Sequence, residues 1–183
     1  MNKPNVIGLD LACDSTGVAL PDGTTLTIKS PKQAGKTRTL TDDLARMDHT
    51  EIQIVGLLEH AAADLAVIED YAAGIKSAAA HRLAEIGGVV RLACHRAGVP
   101  IALVNNMHLK IYACGTTKAE KRDMSMEAYK RAGVEFPNSD ECDAWWLRAM
   151  GLDHLGHAVV ELPKVQRAAL YPKTKRDVWP EVA

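Results

Sequence analysis

Three β-like runs stand close together at the start of the chain, and their spacing constrains the fold more than any other feature. Residues 6–10 (VIGLD), 16–20 (TGVAL) and 24–28 (TTLTI) each have the length and apolar content of a short strand. Pro21, Asp22 and Gly23 separate the second run from the third. They are a turn signal with a mechanism, since proline presets φ and glycine tolerates positive φ. The three runs therefore read as an antiparallel meander. Helix and strand alternate beyond it: a helix over 41–62 that Thr41 can cap, a strand over 65–69 (LAVIE), a helix over 77–97 and a strand over 101–105 (IALVN). Shorter helices follow over 107–113 and 118–132, and a long one over 139–157. A meander followed by strand–helix alternation predicts one α/β domain built on a mixed sheet. Beyond Pro163 there is little periodicity, and the tail reads as a loose arm.

Composition narrows the class. At 183 residues, 47% hydrophobic and 25% charged, the chain can bury an ordinary globular core. No apolar stretch approaches the roughly 20 residues of a membrane span, so no membrane role is expected. "MNKPN" runs straight into a strand, which argues against a signal peptide. The four cysteines (Cys13, Cys94, Cys114, Cys142) are far apart and form no CxxC pair, so neither a zinc site nor a disulfide framework is expected, and a reducing cytoplasm suits the chain. Net charge is only −1, but it is unevenly spread. Lys29, Lys32, Lys36 and Arg38 fall in one acid-free run, and Lys164, Arg167, Lys173, Lys175 and Arg176 in another. Such runs can neutralise phosphates, although solvated loops carry them too.

The carboxylates are the most informative residues. Asp10 and Glu69 each end a predicted buried strand, at the edge of an α/β sheet where ligands bind. Asp140 and Asp143 stand three apart in the first turn of the last helix and so share a face. Acids there also suit the helix dipole. Glu141 points about 100° away and reads as the solvated member. Gathering several acids costs energy unless a cation neutralises them. Hard divalent ions take oxygen ligands, and four carboxylates can hold two such ions about 4 Å apart, the arrangement that hydrolyses phosphodiesters. Spacing alone leaves the choice open between that and a phosphate-binding turn. Trp145 and Trp146 face different ways, and at least one should pack under the sheet. His154 and His157 read as ordinary helix-end residues. Gly87 and Gly88 in mid-helix suggest a closely approaching helix or partner.

At this point the residues resemble the RuvC-type Holliday junction resolvases, with their RNase H-like, retroviral-integrase-like nuclease fold. The match runs in order from about residue 5 to 157. "VIGLDLACDSTGVAL" is similar to the first strand with its catalytic aspartate, here Asp10. "LAVIEDY" resembles the strand bearing the catalytic glutamate, here Glu69, and "SAAAHRLAEIGGVV" the helix after it. "LKIYACGTTKAEK" resembles the family's lysine, short helix, glycine and small-residue loop, here Lys110, Gly115 and Ala119 to Lys121. "NSDECDAWWLRAM" resembles the closing D-x-x-D helix.

The resemblance implies a five-stranded mixed sheet flanked by helices and a homodimeric endonuclease that nicks branched DNA such as the Holliday junction. It implies two Mg²⁺ ions per active site, with Mn²⁺ as a substitute, held by Asp10, Glu69, Asp140 and Asp143. Lys121 would support the phosphate charge, with Lys110 and Lys118 as further phosphate contacts. Lys32, Lys36 and Arg38 would hold the DNA arms. Tyr71 is the nearest candidate for the aromatic wedge that relatives carry after the glutamate, a core tyrosine being the alternative. The domain expectation is a nuclease domain over 1–160 and a basic C-terminal arm over 161–183, in a divergent and phage-like member working in the host cytoplasm. Two rivals remain: a non-catalytic branched-DNA-binding protein of the same fold, and an actin-like ATPase fragment. The second is disfavoured because the chain is too short for two related domains and offers "LACDSTG" where a phosphate hairpin needs glycine.

Overall fold

The computed structural model describes residues 3–70, 78–172 and 178–182. Five strands form one mixed sheet: β1 (Val6–Leu11), β2 (Ser15–Ala19), β3 (Thr25–Lys29), β4 (Leu65–Asp70) and β5 (Ile101–Asn105), in the order β3-β2-β1-β4-β5. The first three are antiparallel, as the meander predicts, and Gly23 makes the turn between β2 and β3 at φ +97°. β4 lies parallel to β1 and β5 parallel to β4, each entered by a crossover helix.

Side chains alternate across the strands, so the sheet has two different faces. Ile7, Leu9, Val18, Ile28, Ala66 and Ile68 point to one face and form a core with Ile54 and Leu58 of α1 (Leu40–Ala61) and Ile86 and Val90 of α2 (Ala78–Arg96). Val6, Ala19, Leu65, Val67 and Val104 point to the other, under α3 (Asn106–Cys114), α4 (Lys121–Ala132) and α5 (Ser139–His154). Helix α5 lies directly on the strands. A Cβ at Gly8 would overlap the Ala144 carbonyl oxygen, and one at Gly17 the Asp140 carbonyl oxygen. Two glycines in adjacent strands therefore let helix backbone meet sheet backbone, and they set the height of α5 over β1 and β2. Trp145 and Trp146 are both buried here, with Trp146 Nε1 donating to the Met124 carbonyl at 3.1 Å.

Several boundaries differ from expectation. Thr39, not Thr41, caps α1: its hydroxyl accepts from the Asp42 amide while the Asp42 carboxylate accepts from the Thr39 amide at 2.8 Å, a reciprocal box. α4 starts at Lys121 rather than 118, because Glu120 and Asp123 form a similar box. α5 stops at His154, and Gly156 turns the chain at φ +80°. The position beside Gly88 is open, so no close approach among the described residues explains it.

The tail is not loose where it is described. Pro163 is followed by α6 (Lys164–Arg167) and a 3₁₀ turn (Ala168–Leu170) that buries Ala169 and Leu170. Arg167 pairs with the buried Asp153 carboxylate, which also accepts from the Tyr112 hydroxyl at 3.1 Å. Trp179 stacks on His154 with centroids 4.5 Å apart, and the Tyr171 hydroxyl lies 3.1 Å from His154 Nδ1. His154 is thus the docking surface of the tail rather than a free helix end. A four-residue helix is too short to show a period, and its partners lie in another element.

Candidate active site

β1 and β4 are parallel neighbours with Leu9 opposite Ile68, so Asp10 and Glu69 come next at the same end of the sheet. Period 2 puts Asp10 on the Gly8 side and Glu69 on the Val67 side, which is the α5 face. Asp143 looks down on them from α5. One carboxylate oxygen each of Asp10, Glu69 and Asp143 lies within 4.8 Å of the others. Asp140, a turn earlier, stands at the rim of this group. Ser15 Oγ donates to its Oδ2 at 2.7 Å and Ser139 Oγ to its Oδ1 at 3.2 Å.

Burial and mutual repulsion act on the three acids together. Asp10 is 9% exposed, and desolvation, with Glu69 and Asp143 as neighbouring charges, pushes its carboxyl up to about 9. Asp143 is pushed up to about 7, by burial first and by Glu69 next, against the pull of Lys121 and Lys110. Burial also raises Glu69, offset by the amide of Asn106 and by a hydrogen bond with Asp10. At neutral pH the site therefore retains protons that a bound cation would displace.

The lysines are ranged around this edge. Lys121 opens α4, and its Nζ donates to Ser139 Oγ at 2.7 Å and lies 4.0 Å from Asp140 Oδ1. Lys110, on α3, exerts its charge on Glu69 and Asp143. Lys118 is exposed in the loop before α4, and Lys32 and Lys36 are exposed in the loop after β3. Arg38, expected to contact DNA, pairs through its guanidinium with Asp43 at 3.0 Å and Asp14 at 3.5 Å, tying the loop to α1 and to the β1–β2 turn. Tyr71 lies outside the described residues, as do Lys173, Lys175 and Arg176.

Sequence reasoning missed four neighbours of the site. Asn106, first residue of α3, donates from Nδ2 to Glu69 Oε1 at 3.0 Å. β5 runs straight into α3 beside β4, and the Asn105–Asn106 pair at that junction was the available signal. Ser15 and Ser139 hold Asp140 and carried no signal of their own. The fourth, Glu141, is a correction. It is 5% exposed, not solvated, and its carboxylate accepts from Thr25 Oγ1, Thr27 Oγ1 and Asn138 Nδ2. A 100° offset implies solvent only where a helix has an open side, and α5 is buried from Ala144 to Asp153.

A mixed five-stranded sheet in this order, flanked by helices on both faces, is the RNase H-like fold. Among solved structures the chain resembles RuvC of Thermus thermophilus, at a TM-score of 0.66 and 18% identity over 84% of this chain and 98% of that one. The same protein in complex with a Holliday junction substrate matches at 0.65 and 17%, over 85% and 98%. The yeast mitochondrial Holliday junction resolvase Ydc2 matches at 0.48 and 16%, over 92% and 80%. No family model matches the sequence. The chain therefore has the fold of RuvC. No helix among the described residues is long and apolar enough to cross a membrane.

Proposed function

We propose that the chain is a divalent-metal-dependent endodeoxyribonuclease that nicks Holliday junctions and other branched DNA. The observation that carries this is the convergence of Asp10, Glu69 and Asp143 within 4.8 Å at the end of β1 and β4, on a RuvC fold. The donors are all carboxylate oxygens, crowded enough to hold protons at neutral pH, and that set fits Mg²⁺ or Mn²⁺. Asp10, Glu69 and Asp143 would hold the first ion, and Asp140 at the rim would join them in holding a second. Bound there, the ions supply the positive charge that hydrolysis of a phosphodiester requires.

The chain's own residues do the rest. Asn106 turns Glu69 toward the centre, and Ser15 and Ser139 fix Asp140. Lys121 and Lys110 offset phosphate charge beside the acids, where a partly dry site makes each fixed charge count most. Lys118, Lys32 and Lys36, together with the basic segment of residues 161–183, hold the DNA arms. Arg38 is assigned to the fold instead. A homodimer would set two such sites on opposing strands of a junction. On this reading the chain works in the cytoplasm.

The test is cleavage of labelled four-way junction, flap, fork and linear duplex DNA with Mg²⁺, Mn²⁺ or EDTA. Metal-dependent paired nicks in the junction support a resolvase, and nicks in flaps and forks as well support a general debranching nuclease. Binding without any cutting would leave the non-catalytic rival.

A further inference from the structure

β3 is one of the two edge strands of the sheet, and its alternation is unusual in one respect. Leu26 and Ile28 serve the core on the α1 side, while Thr25 and Thr27 present two hydroxyls to the α5 side. The Glu141 carboxylate is the acceptor for both. Thr25 Oγ1 donates to Oε2 at 2.6 Å, and Thr27 Oγ1 donates to Oε1 at 2.7 Å. Asn138, the N-cap of α5, closes the set: its Nδ2 donates to Glu141 Oε1 at 3.1 Å and to Thr27 Oγ1 at 3.0 Å, while its Oδ1 accepts from the Glu141 amide at 3.0 Å. A buried carboxylate is costly unless its lone pairs are met. Here neutral donors and the positive end of a helix meet them.

We infer that Glu141 is a positioning residue for the carboxylate site: it latches the first turn of α5 to β3 and so decides where Asp140 and Asp143 stand relative to Asp10 and Glu69. Asp140 and Asp143 flank Glu141 on the same turn, and the Asp140 carbonyl already rests on Gly17 of β2. Backbone contact sets the height of the helix over the sheet and Ser15 ties Asp140 to β2, but the glycine surface has no side chain to stop the helix end sliding toward or away from the sheet edge. The latch opposes it. Three directional hydrogen bonds to an edge strand fix the helix end in the plane of the sheet, and both aspartates move with that end.

The inference rests on the nuclease reading only for its activity readout, so the experiment has two others. Mn²⁺ affinity is followed by electron paramagnetic resonance, and amide exchange at Cys142 and Asp143 is measured in EDTA. Glu141→Ala should weaken Mn²⁺ binding about tenfold, the scale on which partners behind metal ligands act, and should speed exchange at both amides. Glu141→Gln should restore most of the affinity, because its carbonyl still accepts from Thr27 and Asn138 and its amide can donate to Thr25 Oγ1. Thr25→Val removes a single donor and should shift affinity the same way by less, which keeps the test available if Glu141→Ala does not fold. A folded Glu141→Ala protein with lowered thermal stability and wild-type Mn²⁺ affinity overturns the inference, since the role is then structural only. Glu141→Gln as impaired as Glu141→Ala also overturns it, because charge rather than the latch would be at work. Wild-type protein that binds Mn²⁺ yet nicks nothing sinks the nuclease reading alone, and affinity and exchange still decide the latch.

Discussion

Asn106 Nδ2 donates to Glu69 Oε1 across 3.0 Å, so the first residue of α3 sets the direction of a carboxylate at the end of β4. The link runs between parallel neighbours, because β5 leads into α3 with no loop between them. Asn106→Ala should leave the fold and junction binding in EDTA unchanged. Mn²⁺ affinity should fall about tenfold, as measured by paramagnetic titration. Unchanged affinity would mean that Glu69 needs no orienting partner.

Asp10→Asn and Asp143→Asn should each abolish nicking while sparing junction binding. Each removes a ligand charge and retains the shape. Cleavage rates in Mg²⁺, set beside mobility shifts in EDTA, check this. An Asp143→Asn protein that cuts at the wild-type rate would sink the site assignment.

The stability of the metal-free protein should depend on pH through the same acids. Asp10 has its carboxyl raised from 3.8 to about 9 and Asp143 to about 7, so between those limits the folded chain holds protons that the unfolded chain has released. Stability should therefore be fullest below the unfolded value, fall as pH rises through the folded values, and level off above about 9. Thermal unfolding in EDTA from pH 5 to 9 measures the slope. Asp10→Asn should flatten it, and saturating Mg²⁺ should abolish it, since bound ions displace the retained protons and neither state then exchanges any over this range.

Lys121→Ala removes the cation beside Ser139 and Asp140. Nicking should fall about a hundredfold, the scale of one fixed charge-stabilising group. The dependence of junction binding on log salt should also become shallower by about one unit. A slope change without a rate change would make Lys121 a binding residue alone.

The glycines under α5 predict opposite outcomes for one chemical change. Gly8→Ala and Gly17→Ala drive a methyl into helix backbone and should each cost about 1–3 kcal/mol, the usual range for overpacking. Gly88→Ala, in open space on α2, should gain up to about 1 kcal/mol of helix propensity. Urea denaturation of the three variants separates the cases.

What the sequence determined by itself was everything carried by local periodicity and by the order of residue types. Val6 to Asp10, Thr16 to Leu20 and Thr24 to Ile28 are short strand-like runs, Pro21 to Gly23 turns the chain, and the four acids stand at strand ends and on one helix turn. The mixed five-stranded sheet was legible from these signals, and they singled out Asp10, Glu69 and Asp143, which the fold brings together, as candidates without fixing what they bind. Only the tertiary structure decided which way side chains turn once elements meet. Glu141 faces Thr25 and Thr27 across more than a hundred residues, Ser15 reaches Asp140, Asn106 reaches Glu69, and Arg38 spends its charge on Asp14 and Asp43 rather than on solvent. The tail docks on His154 and Asp153 for the same reason. Periodicity states which face a residue shares with its near neighbours in the chain. It does not state what covers that face, and a polar group takes whatever partner the fold delivers.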